Sequence, residues 1–189
     1  MTPEERQIEE ARAGSREAMD QLAIAYTPSL KRFVSLMGVD DVDDVTQEIL
    51  TQSFKSLASY RRECKFASWM LGIALNFCRN WRKCRARKKD RTSDKLDGPD
   101  PRAPDRSVLS SLVKKENAGL LSAALEELPP TLREAFILKF VEDLDYREIS
   151  ELLGTSEGTA RVRSHRAKLM LRSELGPSFM TLLEKREDL

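Results

Sequence analysis

The chain has 189 residues, a third of them charged, with few aromatics and glycines and a net charge of +1. That size admits one large domain or two small ones, and the composition favours helices that each bury one narrow stripe. No apolar run approaches the ~20 residues of a membrane span, the acidic, polar start lacks a signal-peptide core, and three scattered cysteines do not make a disulfide framework, so a cytoplasmic protein without membrane insertion is expected.

The near-neutral total hides a pattern. Residues 1–60 carry a net charge of −5, 61–91 carry +9, 92–113 carry −1, 114–155 carry −4, 156–172 carry +4 and 173–189 carry −2. Two basic islands in a mildly acidic chain predict two discrete docking points for a polyanion.

In chain order, residues 4–36 predict helix with a break at Gly14-Ser15, where Ser15 caps the second piece, and Gly38 ends it. Asp40 or Asp41 opens the next helix, which runs to about Leu57. On it Asp44, Gln47, Glu48 and Thr51 share one face, while Val45 and Ile49 point to the core. A polar loop at 59–65 places Arg61, Arg62 and Lys65 beside the ring of Tyr60. Phe66 starts a long helix to about Lys89. Its expected buried stripe is Phe66, Met70, Ile73, Phe77, Trp81 and Cys84, with Trp69 beside it; the opposite face carries Asn76, Arg79, Asn80, Lys83 and Arg87. Asparagine offers a donor and an acceptor to a base edge, and a row of Arg and Lys neutralises phosphates.

At 90–107 the apolar period collapses into Asp, Gly, Pro, Ser and Arg, which predicts a flexible linker between a first domain, 1–89, and a second, 108–173, with a short tail at 174–189. In the isolated protein the two domains are expected to make few mutual contacts unless a partner or crystal lattice holds them. Helices are expected at about 108–127, 131–141, 145–153 and 156–172. No strand-like alternation persists, so the fold class is all-α.

The segment 146–160 has the layout of a helix-turn-helix: a short helix with Ile149, Leu152 and Leu153 apolar, Gly154 for the turn, and Ser156 capping a second helix. On that helix Ala160, Ser164, Ala167 and Leu171 form the core stripe. Gly158, Arg161, Val162, His165 and Arg166 face outward, where both arginines can fork onto guanine edges or meet phosphates. Ser156, Thr159 and the helix's first amides suit a phosphate.

The stretch Leu128-Pro-Pro-Thr-Leu-Arg-Glu-Ala-Phe-Ile-Leu-Lys-Phe, continued through Gly154 to Ala167, closely resembles region 4 of extracytoplasmic-function sigma factors, in the sigma-70 family. Asp43-Asp-Val-Thr-Gln-Glu-Ile49 resembles the polymerase-docking motif of region 2, and Phe66-Ala-Ser-Trp-Met-Leu-Gly-Ile-Ala-Leu-Asn76 its promoter-melting segment. The resemblance implies two helical domains that bind core RNA polymerase, through the β′ clamp helices and the β flap, and promoter DNA. It assigns polymerase binding to Asp44, Gln47, Glu48 and Thr51. The −10 element falls to Arg61, Arg62, Lys65, Asn76, Arg79, Asn80 and Lys83. The −35 element falls to Ser156, Gly158, Thr159, Arg161, Val162, His165 and Arg166. It also implies an anti-sigma factor that covers both domains. Gly72, Thr46, Ala160, Val162 and Ser164 depart from the common pattern, Ser164 by putting a hydroxyl into the buried stripe.

Two other classes are open to such a chain. A conventional helix-turn-helix regulator with a sensor or dimerisation domain would not need the basic island at 61–91. An enzyme acting on nucleic acid would need more than one unpartnered histidine, and there is no glycine-rich phosphate loop or carboxylate-metal spacing. Cys78 and Cys84, six residues apart with no histidine nearby, are read as structural. No cofactor or metal is expected.

Overall fold

The computed structural model describes residues 2–91 and 112–176, and the regular elements among them are all helical. The expected linker, apart from its first two residues, and nearly all of the expected tail lie outside the described residues. Eight α-helices follow one another: α1 Pro3–Arg12, α2 Arg16–Leu36, α3 Val42–Lys55, α4 Phe66–Arg91, α5 Leu112–Glu127, α6 Pro130–Phe136, α7 Tyr146–Leu153 and α8 Glu157–Leu175.

The starts follow from capping chemistry. Thr2 and Glu5 form a reciprocal capping box on α1, Ser15 accepts from the Ala18 amide at 3.3 Å, and Asp145 with Glu148 builds a second capping box on α7. Gly38 and Gly154 sit at φ +76° and +62°, a left-handed turn that glycine enters without a Cβ penalty. α4 runs past Asp90 to Arg91, so the helix claims the first two residues assigned to the linker. Beyond α6 the chain widens into one π-helical turn, Ile137–Val141, where a plain helix was expected.

α2, α3 and α4 pack together, with α1 on α2. Buried on α4 are Phe66, Met70, Leu71, Ala74, Leu75 and Cys78. This corrects the expected stripe after its second member: Ile73, Phe77 and Trp81 are only partly buried and Cys84 is exposed. The physical reason is that α4 is enclosed by neighbours on more than one side, so its buried arc is broader and rotated relative to a single 3.5-residue seam. In the second domain α6 and α7 pack on α8, and Ala160, Ser164, Ala167 and Leu171 are all fully buried, as expected.

The two domains meet through a small set of polar ties over a shared apolar cluster. Glu142 accepts from Ser29 at 3.0 Å and from Arg32 at 3.2 Å. Ser68 donates to Glu148 at 2.8 Å, and Arg79 grips Glu134 through Nε at 3.1 Å and Nη2 at 2.7 Å. Arg133, 4% exposed, donates to the Met37 carbonyl at 3.2 Å and to that of Glu126 at 2.6 Å. The buried apolar side chains of both halves form one continuous cluster. Each tie across the domains joins residues 55 or more positions apart, a pairing no local period reveals.

Candidate polymerase and nucleic-acid interfaces

α3 presents its polar face as the heptad arithmetic requires. Asp44, Gln47, Glu48 and Thr51 are exposed, while Val45 and Ile49 are buried. Thr46 is buried too and turns its hydroxyl onto the Val42 carbonyl at 2.6 Å, so its departure from the family pattern is satisfied within the helix. Between α3 and α4 lies an open groove of about 550 Å³ with an apolar floor of Val45, Ile73, Phe77 and Trp81. Its rim carries Glu48 and Gln52 from α3 and Asn76 and Asn80 from α4. The expected docking face and the expected −10 face therefore border one groove.

Further along α4, Lys83 and Arg87 are exposed beside Asn76 and Asn80. Arg79 belongs to the same row but is held by Glu134, whose side chain is 6% exposed; that hydrogen-bonded carboxylate also raises the guanidinium's affinity for its proton. Cys78 is buried beneath, and desolvation pushes its thiol up to about 12, so it stays protonated and inert.

The loop at 60–65 is pinned from α1. Arg12 donates to the Ala58 carbonyl at 3.1 Å and to the Tyr60 carbonyl at 2.5 Å. Arg62, in the left-handed region at φ +63°, reaches Glu9 at 2.5 Å, and this guanidinium holds the Glu9 carboxyl below its usual value. Tyr60 is 6% exposed: its ring packs against Phe66 and Trp69, with centroids at 5.3 and 5.4 Å, and its hydroxyl donates to the Cys64 carbonyl. Burial raises its phenol's pKa. Arg61 and Lys65 are exposed, and a second cleft of about 550 Å³ opens beside the loop, where Tyr26, Arg62 and Lys65 face Glu4, Glu5 and Glu63.

α7 and α8 form the helix-turn-helix about Gly154. Ser156 caps α8, accepting from the Thr159 amide at 3.2 Å. Gly158, Arg161, Val162, His165 and Arg166 are all exposed on one side. The Arg161 guanidinium lies over the Tyr146 ring, 4.9 Å from its centroid, which orders a side chain expected to reach bases.

Each half of the chain matches a family model: sigma-70 region 2 over residues 22–89, and sigma-70 region 4 over residues 118–171. The chain belongs to the sigma-70 family. An ECF RNA polymerase sigma-E factor of Haemophilus influenzae is 27% identical over 184 residues, covering 90% of this chain and 94% of the relative. The sigma-E factor of Escherichia coli K12 is 25% identical over 181 residues, covering 90% and 93%. Among solved structures, CnrH in complex with the cytosolic domain of CnrY aligns with a TM-score of 0.66 and 20% identity, over 89% of this chain and 94% of that one. The sigma factor RpoE in complex with the anti-sigma factor NepR from Bartonella quintana aligns with a TM-score of 0.70 and 21% identity, over 84% and 96%. The chain is an RNA polymerase sigma factor of ECF type.

Two features of this sigma factor escaped the sequence reading. The hydroxyl of Ser164 does not loosen the recognition helix: it donates to the Ala160 carbonyl at 2.9 Å and the Ala135 carbonyl at 3.1 Å, tying α8 to α6. Arg133 and Glu134 are buried charges in a segment read only as helix; the unbroken Leu-Arg-Glu-Ala-Phe run, with two charges between apolar neighbours, was the available signal. Among the described residues no helix is long and apolar enough to cross a membrane.

Proposed function

We propose that the exposed face of α3 docks the chain on core RNA polymerase, that the loop at 60–65 and the polar face of α4 handle the −10 element, and that α8 reads the −35 element. The observation that carries this reading is the sorting of faces. An acidic and amide face on α3 borders asparagines on α4, and a separate basic face stands on the second helix of a helix-turn-helix. Asp44, Gln47, Glu48 and Thr51 suit a basic polymerase surface such as the β′ clamp helices, with the β flap reserved for the second domain. Arg61 and Lys65, exposed on the loop, supply cations that can meet the phosphates beside an unstacked base. Asn76, Asn80 and Lys83 then meet bases and phosphates of the opened strand.

In this reading the chain is a binding subunit in the cytoplasm of a bacterium and performs no catalysis of its own. Region 2 occupies 1–89, region 4 occupies 108–173, and 90–107 joins them. Two neighbours by fold were solved with regulatory partners, CnrY and NepR, and an anti-sigma factor is the matching partner here.

The docking assignment is tested by Asp44→Arg with Glu48→Arg. Neither side chain enters the core, so circular dichroism should be unchanged while core polymerase no longer co-purifies; wild-type affinity in the double variant would refute the assignment. The division of labour has its own test in holoenzyme. Arg161→Ala or Arg166→Ala should weaken promoter binding by roughly 1–3 kcal/mol and relax one −35 position. Asn80→Ala should instead reduce permanganate reactivity at −10 with closed-complex binding retained. An Arg161→Ala holoenzyme that binds normally but fails to open would contradict the roles.

A further inference from the structure

α1 lies outside the region 2 match, which begins at residue 22, yet it holds the loop assigned to the −10 element. It is itself fixed to α2. Ile8 and Ala11 are buried, Gln7 donates to Gln21 at 2.8 Å, and Tyr26 donates to Glu4. So seated, α1 carries Glu9 and Arg12 against the loop.

These two side chains grip backbone as well as side chain. Arg12 Nη2 donates to the carbonyls of Ala58 and Tyr60, where the chain leaves the short 3-10 turn Leu57–Ser59. Its Nη1 donates to Glu9 Oε1 at 3.2 Å, and the same oxygen accepts from Arg62 Nη2. Glu9 thereby joins the grip on residues 58 and 60 to the middle of the loop. Arg62 has φ +63°, a conformation that a residue with a side chain keeps only where its surroundings impose it. Its guanidinium is engaged by α1, while Arg61 and Lys65 are exposed for other partners.

On the reading that this loop meets the −10 element, we propose that Glu9 and Arg12 are positioning residues for it. They hold the loop in the shape that turns Arg61 and Lys65 toward the DNA, and Arg62 serves that latch instead of a phosphate. A loop already in its bound shape loses less conformational freedom on binding, so the latch raises affinity without touching DNA. Without it, a loop that takes the competent shape in a tenth of the molecules binds about tenfold more weakly.

The test uses holoenzyme assembled from the full chain, bound to promoter fragments with a randomised −10 element at several salt concentrations. Arg12→Ala should lower affinity about tenfold and broaden the preferred −10 sequence, with affinity for core polymerase unchanged. Arg12→Lys, which keeps the charge but lacks the fork, should fall between. Glu9→Ala and Arg62→Ala should each weaken binding. The double variant should be no worse than the poorer single one, because both break the same link. Arg62→Ala should also leave the salt dependence as in wild type, whereas loss of a phosphate contact lowers the slope of log K against log salt by about 0.7–0.9. Alkylation of Cys64, followed by peptide mass spectrometry of the free chain, reads the loop itself. Cys64 is half-buried, and exposed Cys84 serves as the internal reference. Arg12→Ala should raise the rate at Cys64 relative to Cys84. A slope that drops with Arg62→Ala, additive losses in the Glu9 and Arg62 pair, or Cys64 reactivity unmoved by Arg12→Ala would overturn the latch. A loosened loop with wild-type −10 affinity and preference would show that the latch does not serve DNA, and would defeat the positioning role. If Arg61→Ala with Lys65→Ala leaves promoter binding at the wild-type level, the assignment of the loop to −10 fails instead, with Cys64 still deciding the latch.

Discussion

At the scale of single residues, the sequence is read most safely where one side chain has one neighbour. Ser164 looked like a flaw in the recognition helix because only its polarity was visible; its acceptor Ala135 lies 29 residues away. With its hydroxyl bonded to two carbonyls in a fully buried site, Ser164→Ala should destabilise the second domain by about 0.5–1.5 kcal/mol. Ser164→Val removes the same bonds and adds volume to a packed site, so it should cost more, about 1–3 kcal/mol. Urea denaturation of the full chain measures both. A valine variant more stable than wild type would mean that the hydroxyl only tolerates its place.

At the scale of elements, legibility followed how the partners of each helix are placed around it. α5, α6 and α7 all pack on α8, yet its buried positions, Ala160, Ser164, Ala167 and Leu171, keep to one helical period, so its faces sort cleanly. α3 behaves the same way. α4 is packed by α2, by α3 and, through Ser68, Gly72 and Arg79, by the second domain, so its polar and apolar positions no longer divide by one angle. That is why Leu71, Ala74 and Leu75 displaced Ile73, Phe77 and Cys84 from the expected stripe. The turn between α7 and α8 was legible because glycine has a physical reason there. A Cβ on Gly154 would touch nothing within 4 Å, so only backbone strain opposes it. Gly154→Ala should therefore lose about 1–2 kcal/mol, and Gly154→Asn less, since asparagine enters the left-handed region more readily. Equal losses would place the penalty elsewhere, in a contact to the side chain. Both variants should lower −35 binding only as far as they unfold the motif.

At the scale of the whole molecule, the ties between the two domains pair side chains far apart in sequence, which a charge total by segment does not reveal. The −4 of residues 114–155 and the +9 of 61–91 were read as separate surfaces, yet Glu134 and Glu148 of the first set sit on Arg79 and Ser68 of the second. A continuous apolar cluster beneath those ties couples the halves energetically. Calorimetry of the wild-type chain should then record one unfolding transition in which regions 2 and 4 melt together. Glu134→Gln/Glu142→Gln/Glu148→Gln should split it, with the second domain, the smaller core, melting first and the first domain holding a midpoint of its own. High salt should act in the same direction but weakly, since the carboxylates of Glu142 and Glu134 are both shielded from solvent. Two separate transitions in wild type at low salt would mean that the interface stores too little free energy to hold the domains together, and that the docked form is only one of many the free chain visits.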